Sequence, residues 1–419
     1  MSPTFRSLRN RNYRLFAGGQ VVSLTGSWMQ MVAQGWLALR LTHDSGAALG
    51  VVAALQTLPM LLFGLWGGLV ADRYPKREVL IAAMVAEGLL AVVLGLLDVT
   101  GVVAYWHVLA LAFLMGLVQV VETPARQAFV IEMVGPDDVP NAVGLNSATF
   151  NIARVFGPVV AGLMVNAVGT GPVFLANGIS FAAVIAGLLA MRVSELHTAP
   201  PVERAPGQLR EGLRYVKARP DLLLPIILIG VVGTFGFNFA VTLPLIAKET
   251  FHRSAAAYGV MSAAIAVGAL VGSLVSARRT QVPRQRLLIG MTLVFGIFEI
   301  LSGLMPTYYT LLLMLVPTGA AVLTLATSCN STVQLGTSPD MRGRVMALYI
   351  LVFMGGTPFG APLIGLAEEH FGPRSGLVIG GAVCAAAALA VLAATLHNRQ
   401  LRMVTHLRPR PHVHVVSGV

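Results

Sequence analysis

Twelve runs of mostly apolar residues, each close to 20 residues long, leave this chain few ways to fold. They cover roughly 15–39, 47–70, 78–98, 104–124, 141–166, 171–192, 222–244, 255–277, 287–305, 308–332, 343–367 and 374–396. A helix rises 1.5 Å per residue, so about 20 residues cross the ~30 Å hydrocarbon layer of a bilayer. Gly and Pro recur inside several runs, which neighbouring membrane helices tolerate by re-satisfying the backbone. Composition removes the soluble alternative. Of all residues 56% are apolar and 11% charged, and the mean hydropathy is +0.76; a soluble domain carries about 25% charged residues.

Charge placement orients the runs. With both termini cytoplasmic, 24 of the 29 Lys and Arg fall in inner segments. Arg40, Lys248, Arg253 and Arg374 fall outside, and Arg154 lies within a run. Basic residues concentrate on the cytoplasmic side, and eleven or thirteen spans would spoil that bias. The expectation is a multi-pass protein of the cell inner (cytoplasmic) membrane with both termini cytoplasmic. The formal net charge of +11 is scattered in short clusters between apolar runs, which fits topology and argues against a nucleic-acid partner. Cys329 and Cys384 both fall in apolar runs and imply no disulfide framework or thiolate metal site. The basic stretch from Arg6 to Arg14 leads into a run carrying Gln20, Gln30 and Gln34 without a small-residue cleavage pattern, so it reads as a retained first span.

The predicted organisation is an N-terminal six-helix half (1–193), a cytoplasmic linker (194–221), a C-terminal six-helix half (222–397) and a cytoplasmic basic tail (398–419). In the linker, Pro200-Pro201 and Pro206-Gly207 precede a stretch that places Leu209, Leu213 and Val216 on one helical face. A short amphipathic helix at the lipid interface is expected there; an ordinary solvated linker helix is the alternative. The halves echo each other. Pro136-Asp137 recurs as Pro339-Asp340, 203 residues on, and the same offset carries Gly157 onto Gly360 and Gly162 onto Gly365. Gly272 through Arg278-Arg279 repeats Gly68 through Arg73, with Ser276 where the acid stands.

Between the second and third runs lies Gly67-Gly68-Leu69-Val70-Ala71-Asp72-Arg73-Tyr74-Pro75-Lys76-Arg77. It resembles the signature loop of the major facilitator superfamily, Gly-x-x-x-Asp-Arg-x-Gly-Arg-Arg/Lys. Gly68, Asp72, Arg73, Lys76 and Arg77 match, and Pro75 replaces the usual glycine. The resemblance implies an all-α membrane protein of twelve transmembrane helices in two pseudo-symmetric six-helix halves. It also implies that Asp72 latches the halves by meeting the start of the eleventh helix, around Arg342, Arg344 and Val345. A carboxylate is favoured near free amides at a helix N-terminus; the bland alternative is local pairing with Arg73 or Arg77 on a wet surface. The stretch Glu122-Thr123-Pro124-Ala125-Arg126-Gln127-Ala128-Phe129 resembles the drug:proton antiporter branch that includes enterobactin exporters and macrolide or tetracycline efflux pumps. Glu122 and Arg126, at i and i+4, are either an intracellular gate or a stable turn.

In the fifth span, Gly144, Ala153, Gly157-Pro158 and Ala161-Gly162 resemble the antiporter signature of that superfamily, with Ala153 and Ala161 where glycine is usual. The resemblance implies export; a kinked packing helix is the alternative. Arg154 in the same span cannot shed its proton and calls for an acceptor or a wet path. Asn151 gives this face further polar character. The superfamily's arginine in the fourth helix is missing from Leu109–Gly116, which weakens transfer of its proton relay. Glu87 and Glu299 lie deep in the third and ninth spans, where a carboxylate could carry the coupling proton or serve as a structural partner.

If the family arrangement holds, a central cavity draws on Gln30, Met31, Gln34 and Trp36 in helix 1 and Gln119 in helix 4. Phe235, Phe237 and Asn238 in helix 7 and Thr324, Thr327, Ser328 and Asn330 in helix 10 complete it. Aromatic walls with scattered amides suit bulky amphipathic molecules, although lipid-facing packing also explains the aromatics. There is no ring of buried charges of the kind a nitrate or sugar-phosphate carrier needs, so small anionic substrates are disfavoured. Nothing indicates an enzyme or a cofactor, and no phosphate-binding loop points to ATP. His406, His412 and His414 fit a disordered basic end better than a metal site. The reading is a secondary efflux transporter, exchanging protons for hydrophobic or amphipathic compounds, with membrane lipids around it and a monomer as the working unit. A dedicated siderophore or metabolite exporter, an uptake carrier and a non-transporting scaffold are the alternatives.

Overall fold

The computed structural model describes residues 3–197, 208–278, 283–397, 401–406 and 412–417. Six helices form the first half: Arg11–Leu41 (α1), Gly46–Arg73 (α2), Lys76–Val99 (α3), Tyr105–Val134 (α4), Val139–Val168 (α5) and Gly171–Leu189 (α6). Side chains set several starts. The Asn10 side chain accepts from the Tyr13 amide, and Ser45 from the Ala48 amide, which satisfies donors that a helix start leaves free. Pro124 and Pro158 are accommodated inside α4 and α5, so α4 runs past its expected end at 124.

The linker helix Gln208–Lys217 (α7) packs against the second half. Gly212 and Val216 are buried, and Leu213 is exposed. The Glu211 carboxylate meets the Arg344 guanidinium at 2.7 Å. Val216 of the expected apolar face thus docks on protein together with Gly212, while Leu213 faces outward. The Leu209 side chain, Pro200-Pro201 and Pro206-Gly207 lie outside the described residues.

The second half repeats the first with two interruptions. Its seventh span is Pro220–Val231 (α8), a π turn, then Phe239–Leu245 (α9) and a second π turn. Phe237 and Asn238 leave helical geometry, and the Asn238 amide donates to the Thr234 carbonyl at 2.8 Å. Then come Ala255–Ala277 (α10), Gln285–Leu304 (α11) and Tyr308–Gly336 (α12). The eleventh span divides into Arg342–Gly355 (α13) and Thr357–Phe371 (α14), where Pro358 lacks the amide that would continue the ladder. Ser375–His397 (α15) closes the bundle. In the tail, expected as disordered, Leu401–His406 pairs antiparallel with His412–Ser417.

Eleven of the twelve spans are apolar enough to be recognised by hydropathy alone. The twelfth, α1, is long enough at 31 residues but buries Gln20, Ser23, Gln30 and Gln34 inside the protein. The repeat is visible in close approaches. A Cβ on Gly116 would lie 2.3 Å from the Gln56 carbonyl oxygen, and one on Gly319, 203 positions later, 2.2 Å from that of Ile265. Gly169 and Gly372, at the same offset, end α5 and α14 with φ of 85° and 88°, a conformation that favours glycine.

Twelve spans put both chain ends on one face of the bundle, here named the terminal face; the opposite is the far face. The apolar core is organised differently at the two. One buried cluster joins both halves toward the far face, through residues such as Leu37, Leu49, Val165, Leu245 and Ala255. A second, centred on Phe16, Leu80, Phe129 and Leu188, belongs to the first half alone and lies toward the terminal face.

Candidate functional site: a cleft between the halves

At the far face the halves are in contact. Gly46 meets Gly365, with a Cβ on Gly365 falling 2.2 Å from the Gly46 carbonyl oxygen. Gly162 meets Ala255, and the Pro158 carbonyl abuts Gly259. Small residues let backbones approach this closely. Polar contacts reinforce the seam. Lys248 pairs with Asp44, the Ser45 hydroxyl donates to Glu369, and the Ala47 amide donates to Glu369 at 3.3 Å. Toward the terminal face the seam opens: nothing lies within 4 Å of a Cβ placed on Gly144 or Gly343.

Three cavities meet in the opening, and Met354 lines all of them. The largest, about 560 Å³, is bounded by Thr123, Pro124 and Gln127 of the first half and by Thr327, Asn330 and Tyr349 of the second. A second, about 280 Å³, lies between α2 and α13 and includes Gly68 and Gly343. The deepest, about 300 Å³, brings Trp28, Phe150 and Arg154 against Phe237, Phe239 and Tyr258. These volumes fall in or just below the range of small-molecule sites.

The candidate latch residues are dispersed. Gly68 lines the second cavity, and Arg73 is exposed. The Asp72 side chain lies outside the described residues. Arg77 donates to the Leu188 carbonyl at 2.7 Å, capping the free end of α6. Lys76 pairs with Glu132 at 2.8 Å. Arg344 is held by Glu211 of the linker helix. Glu122 and Arg126 form an ion pair at 2.6 Å on one face of α4, which stays helical despite Pro124.

In α5, Gly157 packs on α1 beside Thr25 and Trp28, and Gly162 packs on α10. Gly144 faces open space. Asn151 turns away from Arg154 and donates to the Ser147 carbonyl of its own helix at 2.8 Å. The two acids differ in setting. Glu87 is buried within electrostatic reach of Glu122 and Arg126. Glu299 is buried in the second half beside Gly380 of α15, away from the three cavities.

Several expected cavity residues are engaged elsewhere. Gln30 accepts from the Asn177 amide at 2.6 Å within the first half. Gln34 is buried in α1, Gln119 is exposed on α4, and neither lines any of the three cavities. The Phe235 carbonyl packs against Gly380 and the Asn238 amide turns back to Thr234, because the broken seventh span redirects both. Asn330, Thr327, Phe237 and Met31 do line the cleft. Sequence reasoning passed over Trp28, Tyr258 and the far-face group Asp44, Lys248, Glu368 and Glu369. Glu368 is buried against Thr242 and Gly376. Its sequence signal is an acid late in an apolar run, the same signal that drew attention to Glu87.

A family model described as transmembrane secretion effector matches residues 2–416. The chain belongs to that family. It is similar to the staphyloferrin A transporter of Staphylococcus aureus, 24% identical over 86% of this chain and 90% of the relative. It is also similar to macrolide efflux protein A of Streptococcus pyogenes, 23% identical over 88% and 92%. The enterobactin exporter of Shigella flexneri is 26% identical over 78% and 77%. In fold it resembles a bacterial homologue of the human lysosomal transporter Spinster in an inward-facing, unoccupied conformation. That match has a TM-score of 0.67 and 15% identity and covers 94% of this chain and 96% of the other. The protein is a multi-pass efflux transporter of the major facilitator superfamily, not an enzyme.

Proposed function

We propose that this transporter exports amphipathic compounds from the cytoplasm in exchange for protons, by alternating access. The observation that carries the reading is the cleft, lined by both halves, closed at the far face and open toward the terminal face. The distribution of Lys and Arg makes the terminal face cytoplasmic, so the described state is the one that loads cargo from inside the cell. Rocking the halves about the cavities, with the far-face seam parting and the terminal face closing, would release it outside.

For proton exchange, Glu87 is the better placed of the two acids. It has a second carboxylate, Glu122, and the Arg126 guanidinium as neighbours, and Thr123 and Gln127 beside that pair line the largest cavity. Two carboxylates sharing one cation can hold one proton between them. Glu299 lies in the second half without such neighbours and serves packing in this reading.

The test is substrate-induced proton release from proteoliposomes loaded with a panel of amphipathic compounds. Wild type should release protons, Glu87→Gln should lose at least about 90% of release while keeping counterflow, and Glu299→Gln should keep both. Intact release in Glu87→Gln would sink the assignment. The names of two relatives favour a second reading, a dedicated siderophore exporter. Under it a single iron chelator, rather than many members of the panel, would drive release.

A further inference from the structure

We infer that the cargo is an aromatic or otherwise flat amphipathic anion, seated on Arg154 in the deepest cavity of the cleft. This rests on the efflux reading and sharpens it to a chemical class.

Arg154 reaches the cavity from the middle of α5 and is partly buried there. Among the described residues no carboxylate pairs with it and no hydrogen-bond acceptor meets it; its recorded contact is the face of Trp28, 5.7 Å from the ring centroid. A guanidinium carries five N–H donors and keeps its charge. Holding such a group in a membrane without a counter-charge is costly. Arg126, nearer the terminal face on α4, is by contrast paired with Glu122. The cavity around Arg154 includes no acid, and Glu87, Glu299 and Glu368 lie outside its lining. The missing counter-charge is therefore supplied by the cargo.

The walls specify the rest of the molecule. Trp28 and Phe150 stand edge to face with ring centroids 5.6 Å apart on the first half, and Phe237 and Phe239 do so at 6.0 Å on the second. Rings arranged this way accept another flat ring by stacking or edge contact, and the cation lies over one of them. Both halves contribute, so an anion drawn to Arg154 touches the surfaces that move against each other. A lipophilic cation would meet the unpaired guanidinium instead. This is not a small inorganic anion site, because a single charge among aromatic walls cannot replace a full hydration shell.

The experiment uses the full-length protein in nanodiscs and three isosteric probes: 2-naphthoate, neutral 2-naphthamide and cationic 2-naphthylmethylammonium. Binding is followed by tryptophan fluorescence and calorimetry. Wild type should bind the carboxylate at least tenfold more tightly than either of the others. Arg154→Gln should bring the carboxylate down to the amide's affinity and leave the amide unchanged, and Arg154→Lys should retain a preference for the anion. Equal affinities in wild type, no carboxylate binding at millimolar concentration, or an intact preference in Arg154→Gln each overturns the proposal. The wild-type series decides the matter even if a variant folds poorly. Binding is read without a gradient, so failure of proton exchange would leave this result standing, and loss of charge preference would leave efflux standing.

Discussion

The two faces of the bundle hold its halves together in opposite ways. At the far face, backbones touch through Gly46, Gly365 and Gly162, and Lys248–Asp44 and Ser45–Glu369 cross the seam. At the terminal face the described ion pairs stay within one half or its linker, among them Arg6–Asp138, Lys76–Glu132 and Glu211–Arg344. None of those pairs joins the two halves. The contrast teaches where the molecule can move. Rigid units with one closed seam and one open seam can exchange which seam is closed, and neither unit has to repack its interior.

The sharpest way to break the comparison is to overfill the closed seam. Gly365→Leu places carbons where the Gly46 carbonyl sits, and overpacking costs about 1–3 kcal/mol. The far-face-closed state should then fall roughly 5- to 150-fold in population relative to its open alternative. Maleimide labelling of a cysteine introduced at Asn330, in the cleft, should slow accordingly. The matching substitution on the open side, Gly343→Leu, meets nothing in this state and should leave its labelling rate and melting temperature unchanged. Equal effects from the two would remove the asymmetry between the faces.

Next in size is the ion pair across the far seam. Lys248 and Asp44 are about one-third and one-quarter exposed, at 32% and 27%, and partly exposed pairs are worth about 1 kcal/mol or less. Asp44→Lys should accelerate far-face labelling by about two- to fivefold, since repulsion replaces attraction. Adding Lys248→Asp should return it to the wild-type rate. Failure of the double swap to restore closure would show that the glycine contacts alone hold the seam. The smallest effect is expected at the terminal face. Arg344→Ala removes a pair in which Glu211 is 55% exposed, so melting should drop by about a degree or less with cleft labelling unaltered.

Much of this architecture is legible in the sequence. Apolar run length, the bias of Lys and Arg, and the Gly157/Gly360 and Gly162/Gly365 echoes predicted twelve spans in two related halves. The echoes mark contacts: Gly162 meets Ala255 of α10 as Gly365 meets Gly46 of α2. The site was less legible. Gln30 and Gln34 looked like cavity amides because polar residues in membrane helices point inward, yet inward can mean the interior of one half, where Gln30 meets Asn177. Helical periodicity assigns a face and does not say whether it meets its own half, the other half or lipid. The breaks in the seventh and eleventh spans were hidden for a similar reason. Membrane helices carry many Gly and Pro without interruption, as at Pro124 and Pro158, so the residue types alone did not mark Asn238 or Gly356 as the places where helices part.

By itself, then, the sequence determined the solvent, the number of crossings and their expected orientation, because those follow from hydrophobic transfer and charge summed along the chain. Which seam is closed, which acids share a neighbourhood and which cation faces a cavity without a partner were decided only by tertiary structure. They depend on distances between residues far apart in sequence, such as Asp44 and Lys248 or Trp28 and Tyr258, which no local pattern encodes.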